Sequence, residues 1–131
     1  MTVDLVRAAQ KIVIESTRQA ITDVCDQMTN DIEEFVLRRD VNPPSDPGEP
    51  PALRTGNLAR SQGFEPARVD GTKITGRIFN SADYAVFLEI GTLNMQARPF
   101  FLPFIASSRN QRKYSEMCAK LVQAGLKRGA S

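Results

Sequence analysis

The sequence contains no histidine and no tryptophan, and only two of its 131 residues are cysteine. Without histidine, the chain lacks both the usual general base of enzymes and the commonest nitrogen ligand of metal ions. Cys25 and Cys118 lie far apart in the sequence, without C-x-x-C spacing, so we expect two free thiols in a reducing compartment. We therefore predict a protein that is not an enzyme, with no catalytic residues, no metal site and no cofactor.

Long apolar runs are also missing. No stretch approaches the ~18 apolar residues that a membrane span needs, and the first residues lack the basic and apolar regions of a secretory signal. Phosphate-binding glycine loops are absent as well, since Gly71, Gly76 and Gly91 fall in a turn, a strand and a helix end. We therefore expect a cytoplasmic product with neither a membrane partner nor a small-molecule substrate.

The net charge is only +2, but the charges are unevenly distributed. Residues 1–40 contain eight acidic and five basic residues, whereas residues 107–131 contain six basic residues and a single acid, Glu116. This asymmetry favours head-to-tail contacts between copies, or a basic face towards an acidic partner. The alternative is that both segments are helices with ordinary solvated faces.

The length fits a single domain covering residues 1–131, and the patterns predict an α+β fold. Apolar residues recur at helical spacing over residues 3–38, which predicts a long N-terminal helix of roughly 50 Å. Because that length exceeds the width of so small a domain, we expect part of the apolar stripe to contact another subunit. The alternative is a break at Ser16-Thr17 and two shorter helices. The candidate interface residues on this helix are Val24, Met28, Ile32 and Phe35.

A proline-rich segment, residues 42–54, follows the first helix and contains five prolines. Proline has no amide hydrogen to donate, which excludes a helix or a central strand here. We predict an extended, flexible loop that becomes ordered when a partner binds. The alternative is a simple flexible linker.

A β-hairpin follows, and we expect it to form a small antiparallel sheet. One strand is predicted near residues 62–69 and the second over residues 73–80, with Asp70-Gly71 as the turn between them. Pro66 restricts the first strand to an edge or a bulge, because it removes one donor from the ladder.

Two helices complete the prediction. Residues 82–90 predict a short central helix that is capped by Ser81 or Asp83 and ends at Gly91. We expect Gly91 to adopt a left-handed conformation. A C-terminal helix is predicted to begin near residues 100–103 and to end at about Lys127.

Two segments carry more specific motifs. The first follows Pro50-Pro51 and reads TGNLARS, and the second reads YAVFLEIGT and then ARPFFLP. Together they resemble the tail-component family of tailed double-stranded-DNA bacteriophages, whose pattern is P-P…T-G-x-L-x-x-S followed by Y-A-x-x-x-E-x-G-T…A-R-P-F-x-x-P. The matched residues are Thr55, Gly56, Leu58, Ser61, Tyr84, Ala85, Glu89, Gly91, Thr92, Ala97, Arg98, Pro99, Phe100 and Pro103.

The resemblance implies a virion structural protein that is assembled in the bacterial cytoplasm. Members of the family are known as neck, tail-completion or head–tail joining proteins, and they form a ring of identical subunits, commonly a hexamer. The implied partners are other copies of the chain, the head-connector and tail proteins, and the DNA in the channel. The alternative function is a small nucleic-acid-binding module that uses the basic residues of segment 109–128.

The motif residues suggest particular contacts. We expect Glu89 and Arg98 to form a charge-assisted pair that fixes the intervening loop, the alternative being two independent surface charges. Tyr84 is expected in the core, with its hydroxyl hydrogen-bonded at the edge. One helix face cannot hide three neighbouring phenylalanines, so at least one should contact another subunit. These further candidate interface residues are Phe100, Phe101 and Phe104.

Overall fold

The fold is described from a computed structural model, which covers residues 2–38 and 56–130, and the side chains of residues 6–38 and 56–129. The proline-rich segment 42–54 and the motif residue Thr55 lie outside the described residues. The architecture is α+β, as predicted. Its elements are α1 (Thr2–Asp31), a π-helical turn (Ile32–Leu37), α2 (Asn57–Arg60), β1 (Gln62–Asp70), β2 (Lys73–Asn80), α3 (Ala85–Ile90), α4 (Leu102–Ala106) and α5 (Ser108–Ala130).

The first helix is continuous, which excludes the alternative break at Ser16-Thr17. α1 is a 30-residue α-helix, and the hydroxyl of Thr17 donates to the carbonyl oxygen of Val13 at 2.8 Å. This bond to the preceding turn satisfies the hydroxyl inside the helix, so a Ser-Thr pair does not interrupt it. The single α-helix predicted to reach residue 38 is nevertheless corrected, because the chain changes to π-helical geometry after Asp31.

The π-helical turn explains why one predicted stripe residue points outward. Ile32 and Leu37 are both buried, whereas Phe35 is 72% exposed. Five residues rotate an α-helix by about 140°, which would place Ile32 and Leu37 on different faces. The wider π-helical turn, with hydrogen bonds from i to i+5, brings both towards the core. Phe35 therefore leaves the stripe that α-helical spacing assigned to it.

The β-hairpin packs directly on α1. β1 and β2 pair antiparallel, with an irregularity in register between Glu65 and Arg68, so Pro66 lies in a bulge as predicted. The bulge leaves the backbone N–H of Ala67 outside the ladder, and this N–H donates to the hydroxyl of Thr22 on α1 at 2.9 Å. The bulge at Pro66 thus allows a hydrogen bond between β1 and α1.

A glycine in β2 permits the close approach of α1. A Cβ placed on Gly76 would lie 2.6 Å from the Sγ of Cys25 and 2.7 Å from the Cγ2 of Ile21. Both distances are shorter than van der Waals contact, so this position has room only for hydrogen. A two-stranded ribbon is marginal alone, and the packing against α1 stabilises it.

The central helix begins later than the predicted residues 82–90, and its predicted caps are corrected. The residue that precedes α3 is Tyr84, and it makes no capping hydrogen bond through its side chain. Ser81 lies three residues before the cap position and therefore does not cap this helix, and its hydroxyl donates to the carbonyl oxygen of Ser61 at 3.3 Å. The backbone N–H of Ser81 donates to the same oxygen at 2.9 Å, which joins the start of the central segment to α2.

The predicted C-terminal helix is two helices, because the chain is extended at Ser107. The Ser107 hydroxyl accepts the backbone N–H of Asn110 at 3.3 Å, the geometry of a serine N-cap three residues ahead of its partner. Pro103 lies in the first turn of α4, where its missing amide hydrogen costs nothing. Serine as a cap therefore starts a new helix after α4.

α5 runs antiparallel to α1 along much of its length. Tyr114 contacts Asp31 near one end, and a Cβ on Gly125 would lie 3.0 Å from the Cβ of Ser16 towards the other. The hydrophobic core lies where the π-helical turn, α2, β2, α3 and the chain that leads into α4 meet. Its buried residues are Ile32, Leu37, Ala59, Ala85 and Phe100.

Candidate interaction surfaces

The first motif segment packs against the hairpin. Gly56 precedes α2 with φ of 78°, a backbone conformation that favours glycine. The Asn80 side chain donates to the carbonyl oxygen of Leu58 at 2.8 Å, and the Ser61 hydroxyl donates to the carbonyl oxygen of Asn57 at 2.7 Å. The Asn80 bond connects α2 to β2 of the hairpin, and the Ser61 bond closes the end of α2.

Glu89 is the central residue of the second motif segment. Its carboxylate accepts three backbone N–H groups, from Phe100 at 3.0 Å, Phe101 at 3.1 Å and Leu102 at 2.6 Å. These amides lead into α4, where helix geometry leaves N–H groups without partners in the preceding turn. Charge-assisted bonds of this kind are stronger than neutral ones. The predicted pairing of Glu89 with Arg98 stays a prediction.

The chain between α3 and α4 folds back on α3. The backbone N–H of Arg98 donates to the carbonyl oxygen of Leu88 at 2.7 Å, and Thr92 and Met95 form an isolated β-bridge. Gly91 has φ of 78° and ψ of 173°. The predicted positive φ is confirmed, but ψ is extended rather than left-handed helical, which corrects the predicted conformation. A Cβ on Gly91 would also lie 2.9 Å from the backbone nitrogen of Ala97.

Of the remaining motif residues, Ala85 and Phe100 pack in the core and Tyr84 joins the two motif segments. Ala85 is buried against the core, whereas Tyr84 is 41% exposed. The prediction of Tyr84 as a core residue is therefore wrong, although its hydroxyl does have a partner, accepting the side-chain N–H of Asn57 at 3.1 Å. This bond joins the two motif segments. Pro99 is half-buried and leads into Phe100, which is 2% exposed.

An exposed apolar surface surrounds this motif loop. Ile90 is 71% exposed and Leu93 is fully exposed. α3 turns Ala85 and Leu88 inward, so the residues between them on the helix face solvent. We call this the α3 surface, and its members are Val86, Phe87, Ile90, Leu93 and Leu102. The sequence prediction missed them, although they are the apolar residues that stand between matched motif positions.

The candidate interface residues of the sequence prediction are divided among the core, an open groove and, for Phe35, a position exposed to solvent. Ile32 and Phe100 are 0% and 2% exposed, so they are corrected to core positions within one chain. The groove, of about 440 Å³, lies between α1 and the α4–α5 segment. Phe101 is half-buried against the core. The groove is lined by Val24, Met28, Phe104, Ile105, Asn110, Gln111, Tyr114, Ser115 and Cys118.

A basic stripe follows the solvent-facing side of α5. Its residues recur at three-, four- and seven-residue steps, which places them on one side of the helix. All are exposed, and several line a shallow depression with Met117 and Leu121. The basic stripe consists of Arg109, Arg112, Lys113, Lys120 and Lys127, with Glu116 as an acid within it.

A buried carboxylate connects α1 with α5. Asp31 is 5% exposed and accepts the Tyr114 hydroxyl, the Gln27 amide at 2.9 Å and the Lys113 ammonium at 3.3 Å. Burial acts to raise the pKa of Asp31, but the hydrogen bonds from Tyr114, Gln27 and Lys113 outweigh it, so the pKa is lowered. Burial is the main cause that raises the pKa of Tyr114, and its hydrogen bond to Asp31 raises that pKa further.

The described residues contain no cluster of three or more potential metal-ligating side chains of His, Cys, Asp or Glu. Burial raises the pKa of the thiols of Cys25 and Cys118, which favours the unreactive protonated form. Within residues 2–38 and 56–130, no helix combines the length and hydrophobicity that crossing a membrane requires.

A comparison of the chain with protein-family models, curated proteins and solved structures finds no match. The resemblance to a phage tail-component family therefore rests on the two motif segments.

Proposed function

We propose that this chain is a non-enzymatic structural protein of a tailed-bacteriophage virion. It acts as a ring-forming subunit at the head–tail junction or at the top of the tail, where it joins or completes tails. Its partners are identical copies and the connector and tail proteins on either side, and it is assembled in the host cytoplasm before it enters the virion.

The single observation that carries this proposal is the arrangement of the second motif segment. Glu89 binds three amides, Gly91 allows a turn that a side chain would obstruct, and the Arg98 backbone returns to α3. The product of this bonding is a fixed loop that presents Ile90 and Leu93 to solvent. A rigid support beneath exposed apolar side chains suits a protein interface, because little ordering entropy is lost on binding.

The experiment is to delete the coding sequence from the phage genome that carries it and to image the particles by electron microscopy. Full heads beside separate tails would support a joining role. Overlong or absent tails would support length termination or tube assembly. Complementation with the intact chain is the control, and normal infectious particles without the protein would refute the proposal.

The second candidate function is a nucleic-acid-binding module, and the basic stripe on α5 is the observation that favours it. Phosphate contacts make binding strongly dependent on salt. A steep fall in duplex-DNA binding by the isolated protein as salt rises would favour this candidate. Assembly with phage proteins that does not depend on DNA would favour the structural role.

A further inference from the structure

Four cations of the basic stripe have no ion-pair partner among the residues that the structure describes. The Lys113 ammonium lies 3.3 Å from the Asp31 carboxylate, but Arg109, Arg112, Lys120 and Lys127 extend into solvent from α5. A helix face with several unneutralised charges of one sign attracts a surface of the opposite sign and repels its own kind.

The opposite sign is present on the outer side of α1. Glu15, Asp23 and Asp26 lie along one face of this helix and are exposed, and we call them the acidic face. Glu15 is paired with Arg18, but within the described part of the chain the other two accept only amide donors. Gln19 donates to Asp23 at 2.9 Å and Asn30 donates to Asp26 at 3.4 Å. Their full negative charge therefore remains available.

The two charged surfaces cannot meet within one chain. α5 contacts α1 through Tyr114 and Gly125, and the basic stripe lies on the opposite side of α5. On α1, the side towards α5 and the hairpin carries Val24 and Cys25, whereas the acidic face points away from both. Each chain therefore presents an unsatisfied basic surface and an unsatisfied acidic surface in different places.

We propose that the basic stripe of one copy binds the acidic face of the next copy. Asp23 and Asp26 are separated by three residues on α1, as are Arg109 and Arg112 on α5, a rise of roughly 4.5 Å in both cases. Two ion pairs therefore form together when the helices lie side by side. The contact joins different surfaces of identical subunits, so it propagates and closes into a ring when the rotation allows.

A second copy fits the stripe better than nucleic acid does. Glu116 stands among the cations and would repel a phosphate, whereas it is tolerated beside a mixed protein surface that contains Arg18. The solvent-facing side of α5 also carries no aromatic residue on which a base could stack. The inference rests on the proposed ring function, because it specifies how neighbouring subunits recognise each other.

The test reverses the charge of the acidic face and of the basic stripe in two separate variants of the full chain. One variant carries Asp23→Lys and Asp26→Lys, and the other carries Arg109→Glu and Arg112→Glu. Both arginines are exposed, and a glutamate at position 109, in the first turn of α5, suits the helix dipole, so the second variant should fold. Sedimentation velocity over a concentration series should show self-association of the wild type that weakens with salt. Each variant alone should associate roughly a hundredfold more weakly, because like charges then face each other.

An equimolar mixture of the two variants should regain association. The native basic stripe of the first variant meets the native acidic face of the second, and the two reversed surfaces also match. Control variants make the same charge changes on and near the hairpin, with Asp70→Lys and Asp83→Lys in one and Arg68→Glu and Lys73→Glu in the other. The controls should behave as the wild type.

Three results would overturn the inference. They are a wild type that stays monomeric, reversal variants that assemble normally, or a mixture that does not recover. Loss of duplex-DNA binding by the arginine variant with unchanged assembly would assign the stripe to nucleic acid instead. The proposed function is judged separately, by the particles formed when the protein is deleted, so the two failures are distinguishable.

Discussion

At the scale of single residues, Glu89 makes the largest set of hydrogen bonds in the second motif segment. One carboxylate accepts three backbone N–H groups at the start of α4. A hydrogen bond to a charged group contributes about 1.5–3 kcal/mol, and the bonds are not additive. We expect Glu89→Ala to lower the free energy of unfolding by about 3 kcal/mol. Urea denaturation followed by circular dichroism measures this change.

Two further variants separate charge from general disruption. Glu89→Gln keeps the shape and one acceptor oxygen but removes the charge, so its loss of stability should be intermediate. Glu116→Ala removes an exposed glutamate on α5 and should change stability by no more than about 0.5 kcal/mol. If Glu89→Ala were as mild as Glu116→Ala, the carboxylate would not hold the loop.

Gly91 and Gly71 form a matched pair for a second prediction. Both have positive φ, but a Cβ on Gly91 would meet the backbone of Met95 and Ala97, whereas nothing lies within 4 Å of one on Gly71. Gly71→Ala should cost about 1 kcal/mol from backbone strain alone. Gly91→Ala should cost at least about 2 kcal/mol, since the clash is added to strain. Thermal unfolding of both variants checks this, and equal losses would contradict the proposed clash.

At the scale of elements, α1 and α5 are connected by the buried bond between Asp31 and Tyr114. Tyr114→Phe removes the hydroxyl donor and leaves the ring in place. Losing a hydrogen bond to a charged group at a buried site should cost about 2 kcal/mol. In a double-mutant cycle, Asp31→Asn and Tyr114→Phe should be strongly non-additive. Additive losses would show that the two side chains act independently.

The same bond predicts how stability varies with acid. Because hydrogen bonding lowers the pKa of Asp31 in the folded protein, the unfolded chain binds a proton more readily than the folded one. The stabilisation is complete above the unfolded pKa of roughly 4 and is lost as the pH falls through the lower folded value. Urea unfolding between neutral and acidic pH should show this loss, and Asp31→Asn should reduce it. An unchanged acid dependence in Asp31→Asn would contradict the assignment.

The pKa of Tyr114 is shifted in the opposite direction to that of Asp31, so its contribution to stability changes at alkaline pH. Its raised pKa means that the folded state retains the proton when the unfolded chain has released it. The stabilisation is complete below the unfolded tyrosine pKa of about 10 and declines as the pH rises towards the folded value. Tyr114→Phe should remove this alkaline decline, while Tyr84→Phe, at an exposed position, should retain it.

The elements that sequence predicted are those with simple periodicity or a strong local signal. The helical spacing of α1, the Asp70-Gly71 turn and the bulge at Pro66 follow from backbone preferences that act locally. The π-helical turn does not, because its advantage is the joint burial of Ile32 and Leu37 against distant parts of the chain. The division between α4 and α5 at Ser107 could have been recognised, since serine is a preferred N-cap.

The site was predictable only in outline, for a similar reason. The motif identified Glu89 as important, but the three backbone N–H groups that its carboxylate accepts carry no signal in the sequence. Likewise, Phe35 and Ile32 are three residues apart and belong together on an α-helix. Because the helix is π-helical here, Phe35 faces solvent while Ile32 faces the core.

At the scale of the whole molecule, the chain hides its apolar residues unevenly. α5 and the hairpin cover one side of α1, while Val6 and Val13 are about half exposed, so the predicted contact of the first helix with another subunit stays a prediction. Most of the exposed apolar residues lie on α3 and the loop after it, where Ile90 and Leu93 are 71% and 104% exposed. An apolar area on a small protein marks a contact with another molecule when it is contiguous and rigidly supported.

The α3 surface should therefore be dispensable for folding but necessary for particle assembly. The double variant Ile90→Asp, Leu93→Asp places two charges where water already reaches, so its unfolding curve should stay within about 0.5 kcal/mol per substitution of the wild type. In a partner interface the same charges would be buried without a counterion, which costs several kcal/mol. The variant should fold normally and fail to restore infectious particles when it is supplied to a phage that lacks the gene.

Val69→Asp is the matched control, because Val69 is 42% exposed on the hairpin, outside the α3 surface. It introduces the same charge without touching the motif loop, so it should fold and complement the deletion. Full complementation by the α3 double variant would contradict a contact at this surface and direct attention to the groove between α1 and α5. Failure of both variants with intact folding would instead mean that the hairpin also faces a neighbour, since buried charge at either contact has the same consequence.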